Sequence, residues 1–495
     1  MLLGPDALPQ LIGEYKPLDQ WQAHLNQLFY GLRGDKLRAY YQTFASADYR
    51  LAHALAADYF ARVTKREKVE TSGKGETGET DTPSLSRESR TSRESRLSSE
   101  SRLVVHEWGP GNGNLAACFL SHLKTIDKPG IVYPRVQYVL VDWEQPVLDA
   151  ALAHPDLAAH RDRVETHRGS VEHLEGVADG TVDRIISNEL WNDLPTKLMA
   201  KNAGDLEEEY LRPNLSDSLH AKIQDWRTFV RAFEARDLDV LRTFPPFLDD
   251  LVWEKEYRKV EWKNCPYRKT ITEFFKRIQE QVLVPVHVTA FASLKEAKRL
   301  LRPDAIGFST FDAGTADMTV LNDPQKPCYG QFGGQYNFMI NFALVASVAK
   351  HVGIGQMTLE PQREFVGRSL NTNVTTLMDL LATHPAAGTK LQGWEQDRLV
   401  LKTIKALNET CESPYRRVVD FPLGKHMPPE ERETLNRMLL SLKQQGIPDT
   451  VAYLTEEELR RAAKDLEVVG YDPEAGNIAL TAPPGPIEYY HFACQ

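Results

Sequence analysis

The chain has 495 residues and a mass of 56.1 kDa, room for roughly two to four domains of about 150 residues and for a large buried core. Hydrophobic residues make up 42% and charged residues 26%, which is ordinary globular usage and argues against global disorder. Acidic residues outnumber basic ones, 69 to 59, for a formal charge of −10, so a protein whose main task is gripping nucleic-acid phosphates is not expected.

The N-terminal MLLGPDALPQ has no basic n-region and is broken by Pro5, Asp6 and Pro9, so no secretory signal is read there. Residues 18–63 read as helix; Leu51, Leu55, Tyr59 and Val63 recur at every fourth position and form one apolar stripe. Composition then changes. Residues 64–102 carry almost no large apolar side chain, and 86–103 run SRESRT, SRESRL, SSESRL. A segment this polar cannot bury enough surface to offset backbone ordering, so disorder is predicted. Its Arg and Lys are nearly balanced by Glu and Asp, which favours a solvated insertion over an RNA-binding or phosphorylated tail.

From Leu103 strand and helix alternate: LVVHEW, the turn GPGNGN, helical LAACFLSHLKTI, strand VQYVLV, helix EQPVLDAALAH, then the short strands VETH and DRIISN. That rhythm predicts a doubly wound α/β parallel sheet. The expected units are an N-terminal helical segment (1–63), the Ser/Arg/Glu insertion (64–102) and a ligand-binding core (103–195). A helical substrate-side insertion (196–290), the rest of the core (291–395) and a C-terminal extension (396–495) follow. The longest apolar stretch, Phe338 to Ala349, is far shorter than the ~20 residues that span a bilayer. The five cysteines, 118, 265, 328, 411 and 494, include no CxxC pair, so reduced thiols in a cytoplasmic setting are expected. His154, His160, His167 and His173 lack an i, i+4 pair, so no metal site is read from them. Trp226, Trp253 and Trp262 are read as packing residues, and Glu207-Glu208-Glu209 as a solvated face.

The strongest local signal is Glu107-Trp108-Gly109-Pro110-Gly111-Asn112-Gly113-Asn114, where a strand ends and a helix begins. Glycines there permit a tight turn and close approach of a ligand to free helix N–H groups. A dinucleotide fingerprint needs its third small residue at 114, which is Asn. An acidic residue followed by GxGxG instead resembles motif I of class I methyltransferases, which bind S-adenosylmethionine (SAM). A plain turn is the competing reading. Asp142, at the next strand tip, can accept both ribose hydroxyls of a nucleoside in charge-assisted bonds, or simply cap the following helix. Trp143 can pack on an adenine. Ser170, after the third strand, can present a polar group to the adenine edge or serve as a helix N-cap. The fourth strand ends in Ser187-Asn188-Glu189-Leu190-Trp191-Asn192-Asp193-Leu194-Pro195. Methyl transfer needs position and electrostatics, and a nitrogen nucleophile gains from carboxylates that orient it and take a proton. Asn188, Glu189 and Asp193 are therefore the candidate catalytic residues; the competing reading is a solvated turn. No Asn/Asp-Pro-Pro-aromatic tetrad of DNA amine methyltransferases is present there.

EWGPGNGN, LVDWEQPVLDAA and SNELWNDLP, in this order, resemble the family of mitochondrial complex I assembly methyltransferases and their bacterial relatives. The likeness extends over about residues 40–370, with FSTFDAG and GGQYNFMINFALVASVAKHVG as outer motifs. It implies a class I SAM-dependent methyltransferase of Rossmann-like fold, acting on a protein, with arginine as the acceptor of the characterised mitochondrial type. By position it implies Glu107, Gly109, Gly111, Gly113 and Asp142 for SAM, and Asn188, Glu189 and Asp193 beside the acceptor. Ala313 replaces the family tyrosine after Asp312, Asn337-Phe338-Met339 replaces Asp-Ile-Thr, and Asn192-Asp193-Leu194 varies on aromatic-Asp-Ala. These departures lie on the acceptor side. A small-molecule methyltransferase and a non-catalytic SAM-binding assembly factor therefore stay open beside the protein methyltransferase.

Overall fold

The computed structural model describes residues 12–33, 48–73, 102–332, 334–410, 414–415, 421, 423–424, 426–445, 453–483 and 485–495. The expectation for 74–101 lies outside them. Among the described residues, helices α1 (Leu18–Arg33) and α2 (Arg50–Gly73) precede the first strand of the central sheet. The second runs ten residues beyond Val63 into the stretch expected to be disordered, and Arg66 and Glu67 anchor that turn on Asp183 and Arg135.

The core then follows as β1 (Leu103–Trp108), α3 (Asn114–Ile126), β2 (Val136–Asp142), α4 (Gln145–Leu152), β3 (Val164–Arg168) and β4 (Arg184–Asn188). After an intervening region come α5 (Val288–Leu300), β9 (Gly307–Thr315), α6 (Phe342–Val352), β10 (Met357–Pro361) and α7 (Gln362–Leu370). The chain's last strand, β11 (Glu488–Cys494), inserts between β9 and β10. The order is β10-β11-β9-β4-β1-β2-β3, with β9, β4, β1, β2 and β3 parallel and β11 antiparallel to both neighbours. Parallel strands buried on both faces need apolar side chains in both directions. Leu103 and Val105 accordingly pack with Leu55, Tyr59 and Phe119 under α2 and α3, while Trp108 packs with Phe291, Leu294 and Val345 under α5 and α6.

The region 196–290 differs from its helical expectation. Strands β5 (Lys197–Asn202), β6 (Asp205–Leu215), β7 (Leu251–Lys259) and β8 (Val284–Val286) join Lys16–Pro17 in an antiparallel sheet, accompanied by only short helices. Charge hid the strand pattern. Glu208 and Glu209, read as solvated, are each 1% exposed. Lys197 Nζ lies 2.6 Å from Glu208 Oε2, and the Tyr257 hydroxyl donates to Glu209 Oε2 at 2.8 Å. With Lys255 Nζ also 3.5 Å from Glu209 Oε1, both carboxylates are paired, and both faces of an acidic strand can be buried. Trp253 packs between Trp21 and Tyr336.

The extension 396–495 is not an appendage. Its helices close on their own cluster around Leu401, Leu435 and Leu459, but β11 completes the central sheet. One polar seam pins it there: Ser309 Oγ lies 2.8 Å from His491 Nε2, and His491 Nδ1 lies 3.0 Å from Glu360 Oε1. The spacing is that of a hydrolytic triad. However, Ser309 and His491 are fully buried, Arg184 also donates to the serine, and the imidazole stacks on Phe311 at 4.6 Å. With no route for a substrate, this is a structural pin.

Candidate active site

The strand order reverses between β1 and β4, and ligands of open α/β sheets bind at the carboxyl ends of strands beside such a switch point. The two tips there are the glycine turn and Asn188-Glu189. They touch: a methyl on Gly109 would lie 3.1 Å from Leu190 Cδ1. The turn is closed by Gly109 N donating to Val141 O at 2.9 Å and Gly113 N donating to Pro110 O at 2.8 Å. Gly111 and Gly113 have different reasons to be glycine. Both have positive φ, +51° and +79°, but a Cβ on Gly113 would sit 2.4 Å from Ala151 O of α4, whereas one on Gly111 would meet nothing within 4 Å. Gly113 is required by packing; Gly111 leaves an open cradle.

Glu107 lies beneath the turn, 3% exposed, and accepts a hydrogen bond from the Tyr138 hydroxyl at 2.8 Å. Burial pushes its carboxyl up to about 8, against the lowering effect of that bond. Asp142 ends β2 half-buried; its Oδ1 accepts from Glu144 N at 2.9 Å, which closes a turn ahead of the next helix, whose N-cap is Glu144 and carries no side-chain cap bond. Burial raises it to about 7, and no side-chain donor among the described residues is bonded to it. Trp143 is 42% exposed beside it. The β3 tip is tied in by Gly169 N donating to Asp142 O at 2.9 Å. Ser170 is exposed there, and its Oγ accepts from Glu172 N at 3.3 Å, forming a turn where a helix N-cap was the alternative.

Beyond β4 the chain is sharply bent. Glu189 adopts φ +49°, a region that costs a non-glycine residue roughly 1–2 kcal/mol, and its N–H donates to Phe311 O at 2.7 Å. Its buried carboxylate accepts from the hydroxyl of Tyr489 on β11. Asn188 Nδ2 lies 3.5 Å from Glu189 Oε1. Trp191 anchors the loop through Nε1 to Ser293 Oγ at 3.0 Å, and Asn192 N donates to Asp312 Oδ1 at 3.2 Å. Asp312 is fully buried and held well above the ordinary carboxylate range by that burial.

Asp193 belongs to a second cluster, built by α1. The Tyr30 hydroxyl donates to its Oδ2 at 2.5 Å, Gln335 Nε2 donates to Oδ1 at 2.7 Å, and Asn26 Nδ2 donates to its backbone oxygen at 2.8 Å. Gln22 adds a donor to that oxygen at 3.3 Å. Burial lifts the Asp193 carboxyl to about 7. The candidates thus fall into two neighbouring groups, Asn188 with Glu189 and Asp193 with α1, at one end of the sheet. Gln22, Asn26, Tyr30, Gln335 and Tyr489 are additions that sequence reasoning missed. The first three had a signal, polar residues at every fourth position along one face of α1. Gln335 and Tyr489 had none, because they arrive from remote strands.

Among the described residues no group of three or more His, Cys, Asp or Glu side chains could hold a metal ion. Nor is any helix there long and apolar enough to cross a membrane. Residues 91–303 match a family described as "Putative S-adenosyl-L-methionine-dependent methyltransferase". No curated protein matches the chain. Among solved structures, the chain is similar to an uncharacterized protein from Burkholderia thailandensis (15% identity, covering 76% of this chain and 79% of that one, TM-score 0.42). It is also similar to a methyltransferase-type protein of the same organism crystallised with S-adenosylhomocysteine (13% identity, 89% and 87% covered, TM-score 0.40). The fold is that of a SAM-dependent methyltransferase, a mixed α/β protein around a mainly parallel sheet. Residues 91–303 thus carry the core of a SAM-dependent methyltransferase, an enzyme with SAM as its cofactor.

Proposed function

We propose that this enzyme transfers methyl groups to a protein side chain and that the acceptor is the guanidinium of arginine, as the resemblance to the complex I assembly methyltransferases implies. The observation that carries the reading is the set of oxygen atoms at the β4 tip. Besides the Glu189 and Asp193 carboxylates, Asn188 Oδ1, Asn192 Oδ1, Gln335 Oε1 and Asn337 Oδ1 are buried without a hydrogen-bond partner. Leaving such a group unsatisfied costs about 1–3 kcal/mol. A guanidinium brings five N–H donors and a fixed positive charge, and so answers several of these oxygens at once. Among the described residues no Lys or Arg is paired with Asp193; its side-chain partners are the neutral Tyr30 and Gln335.

Residues at the glycine turn fit the cofactor. The space over Gly111 would admit it, Glu107 and Gly109, Gly111 and Gly113 would line its amino-acid end, and Asp142 would accept the ribose hydroxyls. Trp143 would cover the adenine, with Ser170 at the ring edge. SAM, when bound, supplies a methyl group on a sulfonium for in-line displacement. The protein's part is then to orient and deprotonate the nucleophile. Asp193 holds one side of the guanidinium, Glu189 takes the proton lost as nitrogen is alkylated, and Asn188 fixes the remaining N–H.

The test is transfer of radiolabelled methyl from SAM into a lysate of the source cells by the wild type, Asp142→Ala and Glu189→Gln. The expected result is a labelled protein band lost in both variants, with methylarginine on mass spectrometry; Glu189→Gln is expected to keep its SAM affinity. Label confined to small molecules would refute the protein acceptor. SAM binding with no label anywhere would refute catalysis and favour an assembly factor.

A further inference from the structure

Tyr489 lies outside the family-matched residues 91–303 and reaches the site only because β11 enters the central sheet. In the register of that sheet Tyr489 stands directly opposite Ala313, and Asp312 opposite Tyr490. The methyl side chain of Ala313 leaves room at the tip, and the half-buried phenol bonds to Glu189 with Asp312 also close by. Burial, with two carboxylates adding to it, holds the phenol well above its ordinary range, so its oxygen stays protonated. A protonated phenol beside a carboxylate donates to it and keeps lone pairs for a second partner. Glu189 has little freedom of its own, since its backbone is bent to φ +49° and tied to Phe311 O.

We propose that Tyr489 is a positioning residue for methyl transfer: its hydroxyl holds the Glu189 carboxylate in the orientation that receives the acceptor nitrogen. This rests on the transfer reading above and adds to it a residue from the far end of the chain. Among the described residues, groups facing Glu189 include Tyr489 from β11, Asp312 from β9 and Asn188 from β4. Removing the phenol O–H takes away a donor to the charged form of Glu189, which moves the pH at which Glu189 ionises upward.

The experiment compares wild type with Tyr489→Phe in three measurements: SAM affinity by calorimetry, the thermal midpoint, and the pH profile of methyl labelling of the lysate acceptor at saturating SAM. The expected result is unchanged SAM affinity, a midpoint lowered by no more than loss of one hydrogen bond explains, a labelling rate lower by about tenfold or more, as for loss of one hydrogen bond to a charged group, and an acid limb moved to higher pH. An unchanged rate and profile would overturn the proposal. So would a fall in rate that tracks a loss of midpoint or SAM affinity while the pH profile stays in place, because that is what a packing role produces. Absence of label from the wild type would remove the transfer reading and this proposal with it, and is seen separately in the wild-type arm.

Discussion

Two glycines of one turn should fail in opposite ways when each gains a methyl group. In Gly113→Ala the new Cβ meets Ala151 O at 2.4 Å, and α4 cannot yield without disturbing Leu148 and Ala151, both fully buried. The left-handed backbone costs about 1–2 kcal/mol for a non-glycine residue, and forcing an extra methyl into a packed site about 1–3 kcal/mol. A loss of roughly 2–5 kcal/mol is therefore expected, a large part of the roughly 5–15 kcal/mol that holds a domain folded. In Gly111→Ala only the backbone term applies, since nothing lies within 4 Å of the added atom. That variant should lose no more than about 2 kcal/mol of stability. Its methyl stands in the open cradle, however, and SAM affinity should fall by about tenfold or more, about 1.4 kcal/mol per factor of ten. Urea unfolding gives the first quantity and calorimetric titration with SAM the second. Wild-type SAM affinity in Gly111→Ala would refute the assignment of the cradle, and a Gly113→Ala protein as stable as wild type would refute the packing argument.

Two more predictions concern the raised carboxyls. A carboxyl whose pKa is higher folded than unfolded holds its proton more tightly in the folded state. Stability is therefore greatest below the ordinary value and declines as pH rises through the raised one. For Asp142 and Asp193 that window runs from 3.8 to about 7, and for Glu107 from 4.5 to about 8. Burial keeps His24, His106 and His287 neutral and so adds stability over the same interval, which makes the difference between variants the measurement. In urea titrations of the SAM-free enzyme, Asp193→Asn should gain stability relative to wild type as pH rises from 5.5 to about 8, and a constant difference would contradict the burial of Asp193. In Tyr30→Phe the donor 2.5 Å from Asp193 is lost. A stability loss of about 1–3 kcal/mol is expected with SAM affinity retained; a selective loss of SAM affinity would show that α1 serves the cofactor end instead.

The central sheet was legible because its causes are local. Leu103–Trp108 and Val136–Asp142 are short apolar runs ended by glycine or acid, and that pattern marks both the strands and the crevice at their tips. Glu107, the three glycines, Asp142 and the Asn188-to-Asp193 loop lie at or within five residues of those strand ends, so spacing alone brought them together. Region 196–290 was misread for an equally physical reason. Glu208 and Glu209 look solvated until Lys197, Lys255 and Tyr257, on other strands, pair with them, and a single-residue reading has no access to a partner on another strand. The same limit hid the surroundings of the two catalytic candidates. Glu189 is held by Tyr489, three hundred residues later in the chain, and Asp193 by Tyr30 and Gln335, which precede and follow it by well over a hundred. Sequence determined which strands and turns this protein has and which residues stand at their tips, because propensity, periodicity and glycine chemistry act over a few residues. Which groups desolvate, orient and charge those tips was decided only by the tertiary structure, because burial and cross-strand hydrogen bonds exist only after distant segments have packed.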